Sequence, residues 1–229
     1  MTITINPVKD TYIYLDSPDR SRGSSVALYI CDAQPDLLDK PYRSLLGFEL
    51  PFGSNAVINS AILKLYLTIS IGQTTGKSVN VHKLTKDFVE GTNQTTSTAG
   101  ATWNDYKIEG STHYPWDTAG GDYEPEYVSA ALPTSGWVEW DITDIVNSIH
   151  PASNKVNLMV KFAAEDKGVN YGKVGFNSRE YLLYAFRPVL ELDYLVYGKS
   201  FQIQTATGQY RKIITTTSAC KNIKIITGR

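Results

Sequence analysis

Long apolar runs are missing from this 229-residue sequence. The longest, Ala61 to Ile71, is interrupted by Lys64 and Thr68. Nothing approaches the roughly 18 apolar residues that a membrane-spanning helix requires. Cysteine is scarce. Cys31 and Cys220 cannot build a disulfide framework, and there is no C-x-x-C. The three histidines, His82, His113 and His150, are scattered, which argues against a preformed zinc site. No Ser-His-Asp order, G-x-S-x-G or H-E-x-x-H stands out, so no enzyme is expected. Residues 1–20 show no basic start leading into an apolar core, and no secretory signal is read from them. Acidic residues stop at Asp193. Residues 198–229 hold six basic residues and no acid, against sixteen basic and twenty-three acidic residues in the rest. An acidic body with a basic tail suggests two surfaces with different partners. The tail lacks the aromatic interleaving of a single-strand binder, so neither nucleic acid nor membrane is expected as a partner.

What is present reads as strands. Hydrophobic residues make up 42% and charged residues 20%, a globular composition. Ile58 to Ile71, Lys77 to Leu84, Gly136 to Ile142, Lys155 to Phe162 and Pro188 to Tyr194 are short runs bounded by Gly, Asn, Pro, Ser and Thr. That punctuation marks a sandwich or barrel. Only Thr143 to His150 has helical spacing, through Ile145, Val146 and Ile149, and Pro151 ends it. From Glu90 to Pro133 little periodicity is seen. Such a stretch is expected to be functional or folded on itself. Strand-like runs resume at Phe201–Thr205, Tyr210–Thr215 and Asn222–Ile226. The expected fold is all-β: an antiparallel jelly-roll β-sandwich over residues 1–197, one short helix, and a C-terminal β-rich appendage over 198–229. In the appendage Arg211, Lys212, Lys221 and Lys224 are the candidate docking cations.

Nine short motifs appear in a familiar order: Asp10-Thr11-Tyr12-Ile13; Gly23 with Leu28-Tyr29-Ile30; Arg43 to Leu50; Ile58 to Leu67; Thr102-Trp103-Asn104; Gly120 to Tyr123; Trp140 to Thr143; Asn177-Ser178-Arg179-Glu180; and Arg187 to Leu190. In this order they resemble the DNRLRE-type domain, a β-sandwich related to carbohydrate-binding modules, over residues 10–195. Gly47, Glu49 and Phe88 depart from its pattern. The resemblance implies a non-catalytic accessory module, often with bound calcium. Similar domains occur in polysaccharide-active and cell-surface proteins and in phage structural proteins. With no export signal and a basic tail, the first expectation is a phage virion-surface protein, a capsid decoration or fibre component made in the host cytoplasm. Its tail would dock on other virion proteins or on its own copies, and its sandwich would face a cell-surface glycan. The alternative is an extracellular carbohydrate-binding module.

Site candidates follow from chemistry. Sugar rings stack on exposed aromatics, and Trp103, Tyr106, Tyr114, Trp116 and Tyr123 sit in the long loops. Asp117, Asp122, Glu124 and Glu126 crowd a loop containing Gly120-Gly121, the first candidate for calcium, which takes six to eight oxygens. Asp10 with carbonyls near Asp193 is the second. Glu139 and Asp141 share a strand face, where a salt-bridged surface is expected, with Asp141 also placed to cap the helix. Arg43, Arg179 and Arg187 are expected to pair with carboxylates such as Glu49, Glu180 or Asp193. Gly72 to Ser78 resembles a phosphate loop one residue short but leads into a strand, so it reads as a hairpin loop.

Overall fold

The computed structural model describes residues 1–32, 41–92, 99–165 and 171–197, together with the backbone of 201–204 and 210–213. Its strands are β1 (Thr2–Ile5), β2 (Lys9–Tyr14), β3 (Ala27–Cys31), β4 (Tyr42–Glu49), β5 (Ala56–Gly72), β6 (Ser78–Leu84), β7 (Asp105–Glu109), β8 (Thr112–Pro115), β9 (Tyr123–Ala131), β10 (Gly136–Asp141), β11 (Lys155–Phe162), β12 (Gly172–Asn177), β13 (Val189–Val196), β14 (Phe201–Gln204) and β15 (Tyr210–Ile213). Helix α1 spans Thr143–Ile149. Eleven strands join in one antiparallel sheet, β1-β13-β5-β12-β3-β4-β11-β6-β9, with β10 added to β5 and β2 to β4. The sheet curls until its halves face each other, the arrangement of an all-β sandwich. The expected all-β class, the single helix and the five strand runs are all present.

Strand β5 organises the fold. Its 17 residues pair with β13 at one end, β12 at the other and β10 in the middle. Along it Ile58, Ala61, Leu63, Leu65 and Leu67 are buried. Ile58 and Ala61 are three apart because the pairing with β13 slips by one residue between Asp193 and Tyr194. The bulge resets the two-residue alternation. These side chains meet Leu46 and Phe48 of β4, Val156, Leu158, Val160 and Phe162 of β11, and Trp140 of β10 in the main core. Burying each large aliphatic side chain contributes about 1.5–3 kcal/mol. The Trp140 indole N–H would cost free energy if left unpaired there; it donates to the Val79 carbonyl at 3.0 Å.

A second core lies on the other face of the same sheet. Ile13, Leu45 and Met159 point away from the main core and meet Leu84, Phe88, Ala101, Trp103 and Trp116. The chain after β6 therefore folds back as a layer over the sheet, with the β7–β8 hairpin inside it. Two sequence expectations are corrected here. The aperiodic stretch contains β7, β8 and the nine-residue β9. Strand β9 is an edge strand on β6 with mostly exposed residues, so it lacks a buried face to create a pattern. Gly72 to Ser78 is not a hairpin loop, because β6 pairs with β11 and β9 and not with β5. It is a crossover between distant parts of the sheet, and no helix follows it.

Strands β14 and β15 form a separate two-stranded sheet with Ile203 opposite Arg211 and Gln202 opposite Lys212. The run expected at Asn222–Ile226, and the candidates Lys221 and Lys224, lie outside the described residues.

Candidate functional site

The loop aromatics turn inward. Trp103 and Trp116 are only 6% and 4% exposed, so neither offers a face to a sugar. Trp116 donates its indole N–H to the Thr102 carbonyl at 3.0 Å. Trp103 lies under the Arg43 guanidinium, 4.9 Å from the ring centre. Arg43 is held by a two-pronged pair to Glu165 at 2.9 and 2.7 Å, not by Glu49. Tyr106 and Tyr123 are half-buried and pack on the same core. Tyr114 is half-buried beneath Lys107. These residues anchor the loop layer, and their spacing in sequence could not show that a second core existed beneath them.

The acidic loop does not converge on one point. Both Asp122 carboxylate oxygens accept backbone N–H groups, from Asp117 at 2.7 Å and Thr118 at 2.8 Å. The side chain of Asp117 pairs with Lys86 and that of Glu124 with Lys83, and Glu126 is exposed. The Gly120 carbonyl accepts from Arg43 at 2.7 Å. Gly120 has φ +94°, and a Cβ there would stand 2.7 Å from the Trp103 ring. The glycine seats the loop on the indole. Asp193 is also engaged, by the N-terminal ammonium and Asn59. Glu139 shares Lys64 with Glu191, the expected salt-bridged face. The Asp141 carboxylate accepts the Thr143 N–H at the first turn of α1, at 3.1 Å. Arg187 donates to the Tyr181 carbonyl.

Two other arrangements are built from residues that sequence spacing placed only in motifs. The first is a cluster of five tyrosines, of which Tyr14 and Tyr42 are buried, at 5% and 9% exposure, and Tyr12, Tyr29 and Tyr171 are half-buried. Alternation in β2 puts Tyr12 and Tyr14 on the face opposite Ile13. Tyr14 lies opposite Tyr42, and Tyr12 opposite Ser44, across β4. The Tyr12 and Tyr42 rings stack 5.9 Å apart at 9°. Tyr29 meets Tyr12 edge-on at 5.3 Å, and Tyr171 packs beside them. Tyr29 can lie flat because Gly175 is opposite it on β12; a Cβ at Gly175 would come within 3.0 Å of that ring. Two cations border the rings. The Lys173 ammonium is 4.4 Å from the Tyr42 centre and 5.2 Å from that of Tyr29. Arg22 lies 5.0 Å from the Tyr14 centre and donates to its hydroxyl. Neither makes an ion pair among the described residues. Burial raises the Tyr12 phenol above its ordinary value, though Arg22 opposes the shift. The Y-I-Y alternation of β2 was the available signal for this surface.

The second is a carboxylate trio. Asp10, Glu90 and Glu180 come from the start of β2, the segment after β6 and the turn after β12. One oxygen of each lies within 4.8 Å of the others. The Asp10 Oδ2 accepts the Arg179 backbone N–H at 2.8 Å, and the Asp10 N–H donates to Glu90 at 2.7 Å. The Arg179 side chain reaches Glu90 at 3.2 Å and Glu180 at 3.4 Å. Among the described residues no protein donor reaches Asp10 Oδ1 or Glu180 Oε2, both buried. Burial pushes the Asp10 carboxyl well above the carboxylate range and raises that of Glu90. The sequence pointed to Asp10 but not to these partners, which are about 80 and 170 residues away along the chain.

The sequence model of carbohydrate-binding module family 96 matches residues 1–194. That span takes in both arrangements. No curated protein matches the chain.

Proposed function

The chain belongs to carbohydrate-binding module family 96, and on that premise we propose that it binds a glycan without cleaving it, on the surface lined by the half-buried Tyr12, Tyr29 and Tyr171, which the buried Tyr14 and Tyr42 support. The observation that carries this reading is the combination on one face of clustered tyrosine rings with two cations that no carboxylate among the described residues neutralises. Sugar rings present apolar C–H faces that stack on aromatic rings, while their hydroxyls need donors and acceptors. Phenol hydroxyls supply both. Arg22 and Lys173, which make no ion pair among the described residues, favour a glycan that carries carboxylates or sulfates, since a charge-assisted hydrogen bond is roughly twice as strong as a neutral one. Among the described residues of this face nothing activates a nucleophile, which suits a binding role.

The curled sheet, read as a jelly roll, brings β2, β3, β4 and β12 together to form the surface. A domain of this kind meets its polysaccharide outside the cell, in the setting of a cell-surface or polysaccharide-active protein. The virion-surface reading gains nothing from the family match.

Affinity electrophoresis of the full chain through gels containing acidic, sulfated and neutral polysaccharides tests the proposal. Retardation is expected in an acidic glycan and should weaken with salt. Tyr29→Ala and Lys173→Ala should each weaken binding at least tenfold. Trp137→Ala is the comparison on the outer face, where Trp137 is 38% exposed beside Tyr66, and should bind normally. Retardation lost in Trp137→Ala and kept in the other two would move the site to that outer face.

A further inference from the structure

We propose that Asp10, Glu90 and Glu180 form a binding site for a hard divalent cation of calcium size, which ties together three distant segments of the sandwich. The calcium expected from sequence is thereby assigned away from the acidic loop, whose oxygens already accept protein donors.

The geometry carries the assignment. Asp10 is 1% exposed, and its Oδ1 has no donor among the described residues. Glu180 Oε2 is likewise without one. A buried carboxylate oxygen left unpaired is costly, and here two residues of one cluster each carry one. Three carboxylates against one guanidinium leave an excess of negative charge that Arg179 cannot neutralise. The spacing admits a calcium. Calcium–oxygen distances are about 2.3–2.6 Å, so two ligands on one calcium stand at most about 5 Å apart, and calcium tolerates an irregular set of oxygens where magnesium demands near-ideal octahedral geometry. The three oxygens lie within 4.8 Å of one another, a spacing that a single calcium spans without collapse of the cluster. The approach of Glu90 is built in. A Cβ at Gly23 would stand 2.6 Å from Glu90 Cγ, so only glycine lets that side chain reach the site.

A proton shared between Asp10 and Glu180 is the competing occupant, and it makes the opposite prediction about added metal. The full chain, stripped with chelator and dialysed at pH 7, is melted with chelator, with millimolar calcium and with millimolar magnesium. Calcium binding is measured in parallel by calorimetry. The melting temperature is expected to rise about 5–10 °C when calcium reaches a hundred times its Kd, and less with magnesium. Asp10→Asn and Glu180→Gln should lose the calcium shift and the binding heat, while Asp122→Asn keeps both. If Asp10→Asn does not fold, Glu180→Gln and the wild-type calorimetry still decide. Identical wild-type melts with chelator and with calcium, and no binding heat, would assign the trio to a shared proton. Calcium binding undiminished in Glu180→Gln would place the cation elsewhere. Neither readout depends on where the glycan sits.

Discussion

Asp87 shows how one exposed residue can hold several segments. It accepts from Lys9 on β2, from Lys155 at the start of β11 at 2.8 Å, and from Asn157 at 3.2 Å. Burial alone would raise its carboxyl, but hydrogen bonds from Lys155 and Lys9 outweigh that and hold it at about 2, against an ordinary 3.8. A carboxylate with a depressed folded value contributes stability above its unfolded pKa. It loses that contribution as pH falls through the folded one. Asp87 is half exposed, so solvent screening limits the gain to about 1 kcal/mol. Asp87→Asn should therefore melt about 2–4 °C lower at pH 7, with the difference shrinking below pH 4 and vanishing near pH 2. Melting curves of both proteins across pH 2–7 check this. A constant difference over the whole range would mean that packing, not charge, is lost. Neither Asp87 nor the trio was legible in the sequence, because each is assembled from positions that lie far apart until the strands pair.

At the scale of elements, legibility followed burial. Strands β5, β6, β10, β11 and β13 have one face in the main core, and their alternation was readable. Helix α1 was readable through Ile145, Val146 and Ile149. Strand β9 was hidden because it buries little. Layer β7–β8 was hidden because its core lies behind the sheet. The same geometry explains why the tryptophans looked like ligand residues: large aromatics in a loop suggest display unless something is known to lie beneath them. Here Ile13, Leu45 and Met159 do. Trp116→Ala should cost about 3–5 kcal/mol and increase protease cleavage within residues 99–122. Glycan affinity should stay within twofold of wild type, because the tyrosine surface is on the other face of β2. A variant that keeps its stability and loses glycan binding would restore Trp116 as a ligand residue.

For the molecule as a whole, the family match ends at residue 194 and the main sheet at Val196. We infer that residues 198–229 serve attachment, to a partner or to a second copy, and not glycan recognition. A chain ending at Tyr197 should melt within about 2 °C of the full chain and bind the same glycan with unchanged affinity. Light scattering of the two would show whether self-association goes with the tail. Unfolding of the shortened chain would make the tail part of the sandwich. The central claim is that the tyrosine-lined face holds the sugar. It is tested most directly by titrating an acidic oligosaccharide into isotope-labelled protein and following the amide and aromatic NMR signals. The largest shifts are predicted at Tyr12, Tyr29, Tyr42, Tyr171 and Lys173, with Trp103 and Trp116 unmoved. Shifts gathered around Trp137 and Tyr66, or around Tyr114 and Tyr123, with the tyrosine face silent, would contradict it.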